Sequence, residues 1–294
     1  MLAPESILIT GIARDCAKTI RADVERLASA FSVVRDIRWL IVESDSADDT
    51  PAMLAAMQAS IANFRAISLG TLRGDIPVRT ERIAHCRNRY LEELQGDRYS
   101  DVDYVVVSDL DGMNRLLTQR GVLSAFARND WDVCCANQRG PYYDILALRH
   151  PTWSPGDCLD QLRQLRAQGV GEEAALRIAI YSKMVRIPTN REWIEVDSAF
   201  GGLAIYRKAI LTGASYRGTD ATGASVCEHV ALHASIRQRH GRIFINPALI
   251  NSGYNRHSFD ALPGSVLYRH ALRLRRKLLD GAAKLKDRVR HSKT

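Results

Sequence analysis

The stretch Asp103-Tyr-Val-Val-Val-Ser-Asp-Leu-Asp-Gly112 constrains the fold most tightly. An apolar, β-branched run bounded by Asp and Gly reads as a buried strand. It delivers two carboxylates, Asp109 and Asp111, to its C-terminal end. In an open α/β sheet, ligands bind in the crevice beyond the carboxyl ends of the strands. Carboxylates are hard oxygen ligands that suit Mg²⁺ or Mn²⁺ also holding substrate phosphates. A D-x-D at a strand end therefore predicts a metal–diphosphate site. Three residues alone recur by chance, so the meaning lies in what flanks them.

Upstream, strand and helix alternate. Residues 7–13 read as a strand, 16–31 as a helix, and 37–42 as a second strand ending in a polar loop. Pro51 then sits near a first helical turn, where its missing N–H costs little. Residues 53–61 follow as a helix, 64–69 as a strand and 81–94 as a helix, before the strand at 104–108. This alternation predicts a largely parallel sheet with helices on both faces. Downstream the pattern loosens. A helix is expected over 115–127, short strands over 132–136 and 145–148, and a long helix over 159–182 broken at Gly169 and Gly171. The stretch 196–206 holds Gly201-Gly202 and a strand; 226–239 reads as a helix, and 242–246 as a strand ended by Pro247. The division expected is a nucleotide-sugar-binding half (1–112), an acceptor-binding half of the same domain (113–260), and a basic amphipathic tail (261–294).

Charge separates the tail from the rest. The net charge is +8, and residues 267–294 carry ten Lys/Arg against Asp280 and Asp287, which leaves the remainder neutral. Leu272, Leu274, Leu278, Leu279, Leu285 and Val289 interleave with those cations. Such a segment fits a helix lying on an anionic membrane surface; nucleic-acid binding and a solvated terminal helix are the rival readings. With 46% hydrophobic and 25% charged residues, the composition is that of a globular domain. No apolar run is long enough to span a bilayer, and the N-terminus has no secretory pattern. Six cysteines with no C-x-x-C pair read as reduced thiols of a cytoplasmic protein.

Three motifs stand in order along the chain: Val42-Glu-Ser-Asp-Ser-Ala-Asp-Asp-Thr50 after a strand, Arg82-Ile-Ala-His-Cys-Arg-Asn-Arg89, and the strand with its D-x-D. Together they resemble the GT-A-fold nucleotide-sugar glycosyltransferases. Tyr143-Asp-Ile-Leu-Ala-Leu-Arg149 and Cys227-Glu-His-Val-Ala-Leu-His233 with Arg242-Ile-Phe-Ile-Asn-Pro247 bring the likeness closest to the fungal capsule-associated α-1,3-mannosyltransferases and the related Golgi α-mannosyltransferases. The resemblance covers roughly residues 5–255. It implies a GT-A, Rossmann-like α/β fold and transfer of a hexose from a nucleoside diphosphate sugar, GDP-mannose favoured. The acceptor it implies is a hydroxyl of a glycan or lipid-linked glycan.

The same resemblance implies roles. Glu43, Asp48, Arg82, Arg87, Asn88 and Asp109 would hold the nucleotide. Asp109 and Asp111 would hold Mn²⁺ or Mg²⁺, joined by His257, with His229 and His233 as rivals. Glu228 and Asp144 would be the catalytic carboxylates, and Tyr143, Arg149, Gly201 and Gly202 would line the donor-sugar or acceptor pocket. Plainer uses compete: Asp48 and Thr50 as helix caps, Glu228 as a first-turn acid on a helix dipole, Gly201-Gly202 as a turn.

The same residues also fit parts of other classes. Val105-Val-Val-Ser-Asp-Leu-Asp-Gly112 resembles the first motif of haloacid-dehalogenase-type phosphatases, and Gly156-Asp-Cys-Leu-Asp160 mimics their later acidic motif. Met113 stands where Thr or Val belongs, and no apolar strand precedes Gly156. Nucleotidylyltransferases need a Gly-rich basic loop that Thr10-Gly-Ile-Ala-Arg-Asp15 does not provide. A catalytically inactive GT-A binding scaffold is the non-enzymatic alternative.

Overall fold

The structure, a computed structural model, describes residues 4–255, 258 and 259. His257 and the expected basic tail over 261–294 lie outside the described residues.

Among the described residues the strands are β1 (Ser6–Ala13), β2 (Asp36–Glu43), β3 (Phe64–Ser68), β4 (Tyr104–Ser108), β5 (Val133–Gln138), β6 (Ile194–Val196), β7 (Leu203–Arg207) and β8 (Ile243–Ser252). They form one sheet in the order β3-β2-β1-β4-β7-β5-β8-β6. Strands β1 to β4 are mutually parallel, β7 runs antiparallel to both β4 and β5, and β6 is antiparallel to β8 at the edge. The helices are α1 (Ile20–Ala30), α2 (Thr50–Ser60), α3 (Arg79–Leu94), α4 (Gln119–Ala125), α5 (Cys158–Ala167), α6 (Glu172–Ala179) and α7 (Glu228–Gln238). The expected α/β class, a mixed and mostly parallel Rossmann-like sheet flanked by helices, is what the chain adopts.

Continuous apolar strands are explained by burial on both faces. Leu8, Val105 and Val107 join one core with Tyr90 and Leu94 of α3 and Leu232 of α7. Ile7, Ile9 and Val106 join the other with Val24 and Leu27 of α1, Leu54 of α2 and Val122 of α4. The α5–α6 pair packs about its own small cluster of Leu162, Ala175 and Ala179. All six cysteines are free thiols. Among the described residues no helix is long and apolar enough to cross a membrane.

The second half departs from the sequence reading in four places. Residues 145–148 form a turn: the Asp144 carboxylate accepts the Ala147 amide at 3.4 Å, and Leu148 N donates to Ile145 O. The expected helix over 115–127 is shortened to α4, because the Thr118 hydroxyl caps it by accepting Gly121 N, while Leu117 N closes a turn on Asn114 O. Strand β8 runs through Pro247 to Ser252, since the proline falls where the register with β5 shifts, a place that needs no N–H. Strand β6 had no counterpart in the expectation. The break in the long helix does fall at Gly169 (φ 79°) and Gly171, which separate α5 from α6.

Candidate active site

Parallel β1, β2 and β4 end at one edge of the sheet. Because β7 is antiparallel to β4, it begins at that same edge, with Gly201-Gly202 just before it. Asp109 N donates to Gly202 O at 2.9 Å, which seals the end of β4. Both glycines are left-handed, at φ 71° and 83°. A Cβ on Gly202 would stand 2.7 Å from the Tyr143 hydroxyl and 3.5 Å from Asp109 Oδ2; one on Gly201 would stand 2.7 Å from Ala136 O. Close approach of backbone to Tyr143 and Asp109 is thus what glycine permits here.

A wholly buried amide network lies beneath this turn. Asn251 Nδ2 donates to Gly201 O (2.8 Å) and Asn114 Oδ1 (3.2 Å), and Gln138 Nε2 donates to Gly201 O (3.0 Å). Asn114 Nδ2 in turn donates to Asp109 O at 2.8 Å. These amides come from the ends of β5 and β8 and from the loop after β4, so both halves of the sheet fix one short segment.

Above it, charges converge. Arg87 of α3 donates through Nε to Glu228 Oε1 at 2.8 Å and lies 3.7 Å from Asp109 Oδ1. Its guanidinium stacks over Phe200 (5.3 Å) and Tyr216 (5.6 Å), which fixes its plane. Glu228 opens α7, so the helix dipole also favours its charge. Asp144 accepts Gly201 N at 2.9 Å. Burial pushes the Asp109 carboxyl up to about 8, opposed by Arg87 and reinforced by Asp111, Asp144 and Glu228. A third of that side chain is open to the cleft. Burial likewise raises Asp144 to about 6, against the pull of its backbone donors. Tyr143 is held protonated by burial and by the charges of Asp109 and Asp144. Four carboxyls crowd one arginine here, an excess that raises Asp109 in the metal-free protein and that a cation would relieve; Asp111 is the exposed member.

That charge excess is the fit for a divalent cation. Among the described residues no group of three or more His, Cys, Asp or Glu side chains is arranged to hold a metal ion. A Mg²⁺-type site does not need one, because one or two carboxylates with substrate phosphates complete the shell. The rival histidines lie inside the core. His233 is bonded to the Ser198 and Tyr206 hydroxyls and burial drives it down to about 3; His229 stacks on Phe200 at 3.9 Å and burial keeps it neutral.

The other candidate residues are engaged elsewhere. Glu43 accepts Ser46 N at 3.1 Å and the Ser68 hydroxyl at 2.5 Å. Asp48 accepts the Thr50 amide and hydroxyl and Ala17 N, tying the loop before α1 to the start of α2. Thr50 is buried, and its hydroxyl accepts Cys16 N. Arg82 donates to Ile76 O and Pro77 O, with Asp45 at 3.5 Å. The Asn88 side-chain amide grips both the N–H and the C=O of Tyr216. Arg149 donates to Leu146 O and Leu148 O and pairs with Asp157, the N-cap of α5.

Beyond the ends of β1 and β2 a cleft open to solvent is lined by Ala13, Ser44, Asp45, Arg79, Arg82 and Cys86. The sequence reading missed Asp45. Its signal was its place in the same acidic loop as Glu43: it takes a left-handed conformation (φ 57°), which Asp tolerates, and its carboxylate accepts Leu72 N and Arg73 N. Asp23 and the three buried amides were missed as well. An acid at an apolar helical position, three residues after Ile20 and four before Leu27, was the available sign for Asp23.

No family model and no curated protein matches the sequence. Among solved structures, the chain is similar to glucosyl-3-phosphoglycerate synthase from Mycobacterium tuberculosis in complex with Mn²⁺, UDP and phosphoglyceric acid, at 16% identity and a TM-score of 0.44, over 85% of this chain and 67% of that one. It is also similar to the mannosyltransferase PcManGT from Pyrobaculum calidifontis in complex with GDP-Man and Mn²⁺, at 13% identity and a TM-score of 0.48, over 84% and 56%. The third is S. aureus TarS 1–349, at 12% identity and a TM-score of 0.45, over 82% and 57%. The matched region is therefore little more than half the length of the last two. Likenesses this distant carry no activity across to this chain.

Proposed function

We propose that the chain is a metal-dependent glycosyltransferase of the GT-A type. It transfers a hexose, mannose from GDP-mannose being the favoured donor, to a hydroxyl of a glycan or lipid-linked glycan. The observation that carries this reading is the convergence at one sheet edge of Asp109 and Asp111, the Arg87–Glu228 pair and Asp144, beside the cleft at the ends of β1 and β2. The nucleoside occupies that cleft, near Asp45 and Arg79, and the diphosphate reaches Asp109 and Asp111. Preference for guanine and for mannose rests on the sequence resemblance alone.

In the reaction the bond between the sugar's anomeric carbon and the diphosphate oxygen breaks, a bond to the acceptor oxygen forms, and the acceptor's proton is released. Asp111 and Asp109, together with the substrate, would hold a divalent cation, which when bound would supply Lewis-acid stabilisation of the leaving diphosphate. Glu228, paired with Arg87 at 2.8 Å, orients substrate and stabilises positive charge developing on the sugar. Asp144, raised to about 6, is matched to accepting the proton near neutral pH. Tyr143 presents a hydroxyl next to Asp109, and Gly202 lets it sit there. His257 remains a candidate metal ligand from beyond the described residues. The basic tail then serves as a peripheral anchor on the inner face of an anionic membrane, where a lipid-linked acceptor would lie.

A phosphatase built on Asp109 and Asp111 would need its later acidic motif near them. Asp157 instead caps α5 and pairs with Arg149.

The test is calorimetric titration of GDP and UDP, each with Mn²⁺ and with EDTA, on the wild type and Asp111→Ala. Micromolar binding of one nucleotide that depends on Mn²⁺ and on Asp111 is expected. Failure of both nucleotides to bind would overturn the donor reading.

A further inference from the structure

We propose that Asp23 and Thr19 are positioning residues for Asp111, bracketing it from α1 so that its carboxylate is presented in the geometry a metal–diphosphate requires. This rests on the metal-dependent reading above.

Asp23 is fully buried, yet it belongs to the first turn of a helix whose other buried positions are Ile20, Val24, Leu27 and Ala30. A first-turn acid gains from the helix dipole while still exposed to water. Burying it adds a desolvation cost that only specific partners offset. Its partners are two. Oδ1 faces Arg26 of the same helix at 3.2 Å, and Oδ2 accepts the amide of Gly112 at 2.7 Å, from a residue 89 positions away. Thr19, just before α1, shares its hydroxyl proton between Cys16 O (3.3 Å) and Leu110 O (3.2 Å). One anchor therefore falls on the residue before Asp111 and one on the residue after it.

The rest of the loop is pinned from other directions. Asp109 N donates to Gly202 O, Asp109 O accepts Asn114 Nδ2, and Gly112 O accepts Arg115 Nε at 3.0 Å. Gly112 takes φ 89°, which an L-residue resists, so the turn needs external fixing as well as glycine. Peptide groups around Asp111 are thus anchored on both sides, while its side chain is exposed. Partners that orient metal-bearing carboxylates are the usual outer-shell device.

The experiment measures Mn²⁺ affinity of the full chain by the electron paramagnetic resonance of free Mn²⁺, with GDP or UDP present, well below each variant's melting temperature. Asp23→Ala is expected to weaken Mn²⁺ binding about 10- to 100-fold, and Asp23→Asn, which keeps an acceptor for Gly112 N, to stay within about threefold of wild type. The weak nucleotide affinity that remains in EDTA should match that of wild type. Wild-type Mn²⁺ affinity in Asp23→Ala, with Asp111→Ala impaired, would overturn the bracket and leave the metal reading standing. Asp23→Asn as weak as Asp23→Ala would place the effect in charge and also overturn it. If Asp111→Ala itself binds Mn²⁺ normally, the metal reading fails and the bracket falls with it. Should Asp23→Ala not fold, Thr19→Val tests the other anchor: loosened Mn²⁺ with unchanged nucleotide affinity in EDTA supports the bracket, and unchanged Mn²⁺ refutes it.

Discussion

Replacing Gly202 with alanine separates two effects that glycine usually confounds. Gly202 sits at φ 83°, where a Cβ would meet the Tyr143 hydroxyl at 2.7 Å, Asn251 Nδ2 at 3.3 Å and Asp109 Oδ2 at 3.5 Å. Gly213 sits at φ 69° with nothing within 4 Å of its hypothetical Cβ. Gly213→Ala therefore incurs only the left-handed strain, about 1–2 kcal/mol. Gly202→Ala incurs the same strain plus overpacking of about 1–3 kcal/mol. The Tyr143 ring is half-buried, so relieving the clash would move its hydroxyl away from Asp109. The expected destabilisation is about 1 kcal/mol for Gly213→Ala and about 3–4 kcal/mol for Gly202→Ala, read from urea midpoints at constant m-value. Because the displaced hydroxyl neighbours Asp109, Gly202→Ala should also lose Mn²⁺-dependent nucleotide binding by at least about tenfold, while Gly213→Ala keeps it. Equal stability losses in the two variants would refute the argument that close approach, and not backbone conformation alone, selects glycine at 202.

Metal-free stability should fall between about pH 6.5 and 8. Asp109, raised to about 8, holds in the folded state a proton that the unfolded chain has already lost, so its contribution disappears as pH climbs through that value. With a third of the side chain open to solvent, about 1 kcal/mol is expected over that window. His229 and His233, both driven down by burial, act in the opposite sense below about 6.5, where the unfolded chain binds the protons. A melting-temperature series in EDTA should thus peak near neutrality and flatten at the alkaline end when Mn²⁺ is added; a rise from pH 6.5 to 8 in EDTA would count against the Asp109 environment. Glu228→Gln should reduce turnover far more than donor binding, and near-normal turnover would make that residue structural. Deleting residues 267–294 should abolish co-sedimentation with anionic liposomes, and unchanged co-sedimentation would remove the membrane reading.

The first half of the fold was legible because burial on both faces writes the inner strands β1, β2 and β4 as near-continuous apolar runs. Those three strands fell where the runs are, and the edge strand β3, mixed and only partly buried, fell within the expected 64–69. The second half resisted for a physical reason: Ile145, Ala147 and Leu148 are as buried in a turn as they would be in a strand, and burial alone does not report backbone direction. Pro247 misled because a register shift suspends the need for its N–H. At the site, residue types were readable and partners were not. The acids after β2 look alike in sequence, yet Glu43 faces Ser68, Asp45 faces Arg82 and the amides of Leu72 and Arg73, and Asp48 accepts the amides of Thr50 and Ala17. Arg87 and Glu228 are separated by 141 positions, so only the fold could join them. Asn114, Gln138 and Asn251 carry no charge pattern and appear only once the strands are placed.

The position of β7 has a consequence for how such a chain is made. It is the strand that covers the far edge of β4, yet it ends at Arg207, almost a hundred residues after Ser108. A chain emerging from the ribosome at about 5–20 residues per second leaves that edge bare for roughly 5–20 seconds. During that interval β1 to β4 can associate, but β4 presents unpaired amides and an acidic tip without Gly202 to close it. The same edge is then a docking strand for any other extended segment. Yield in the cell should therefore depend on what shields β4 while residues 109–202 are still being synthesised.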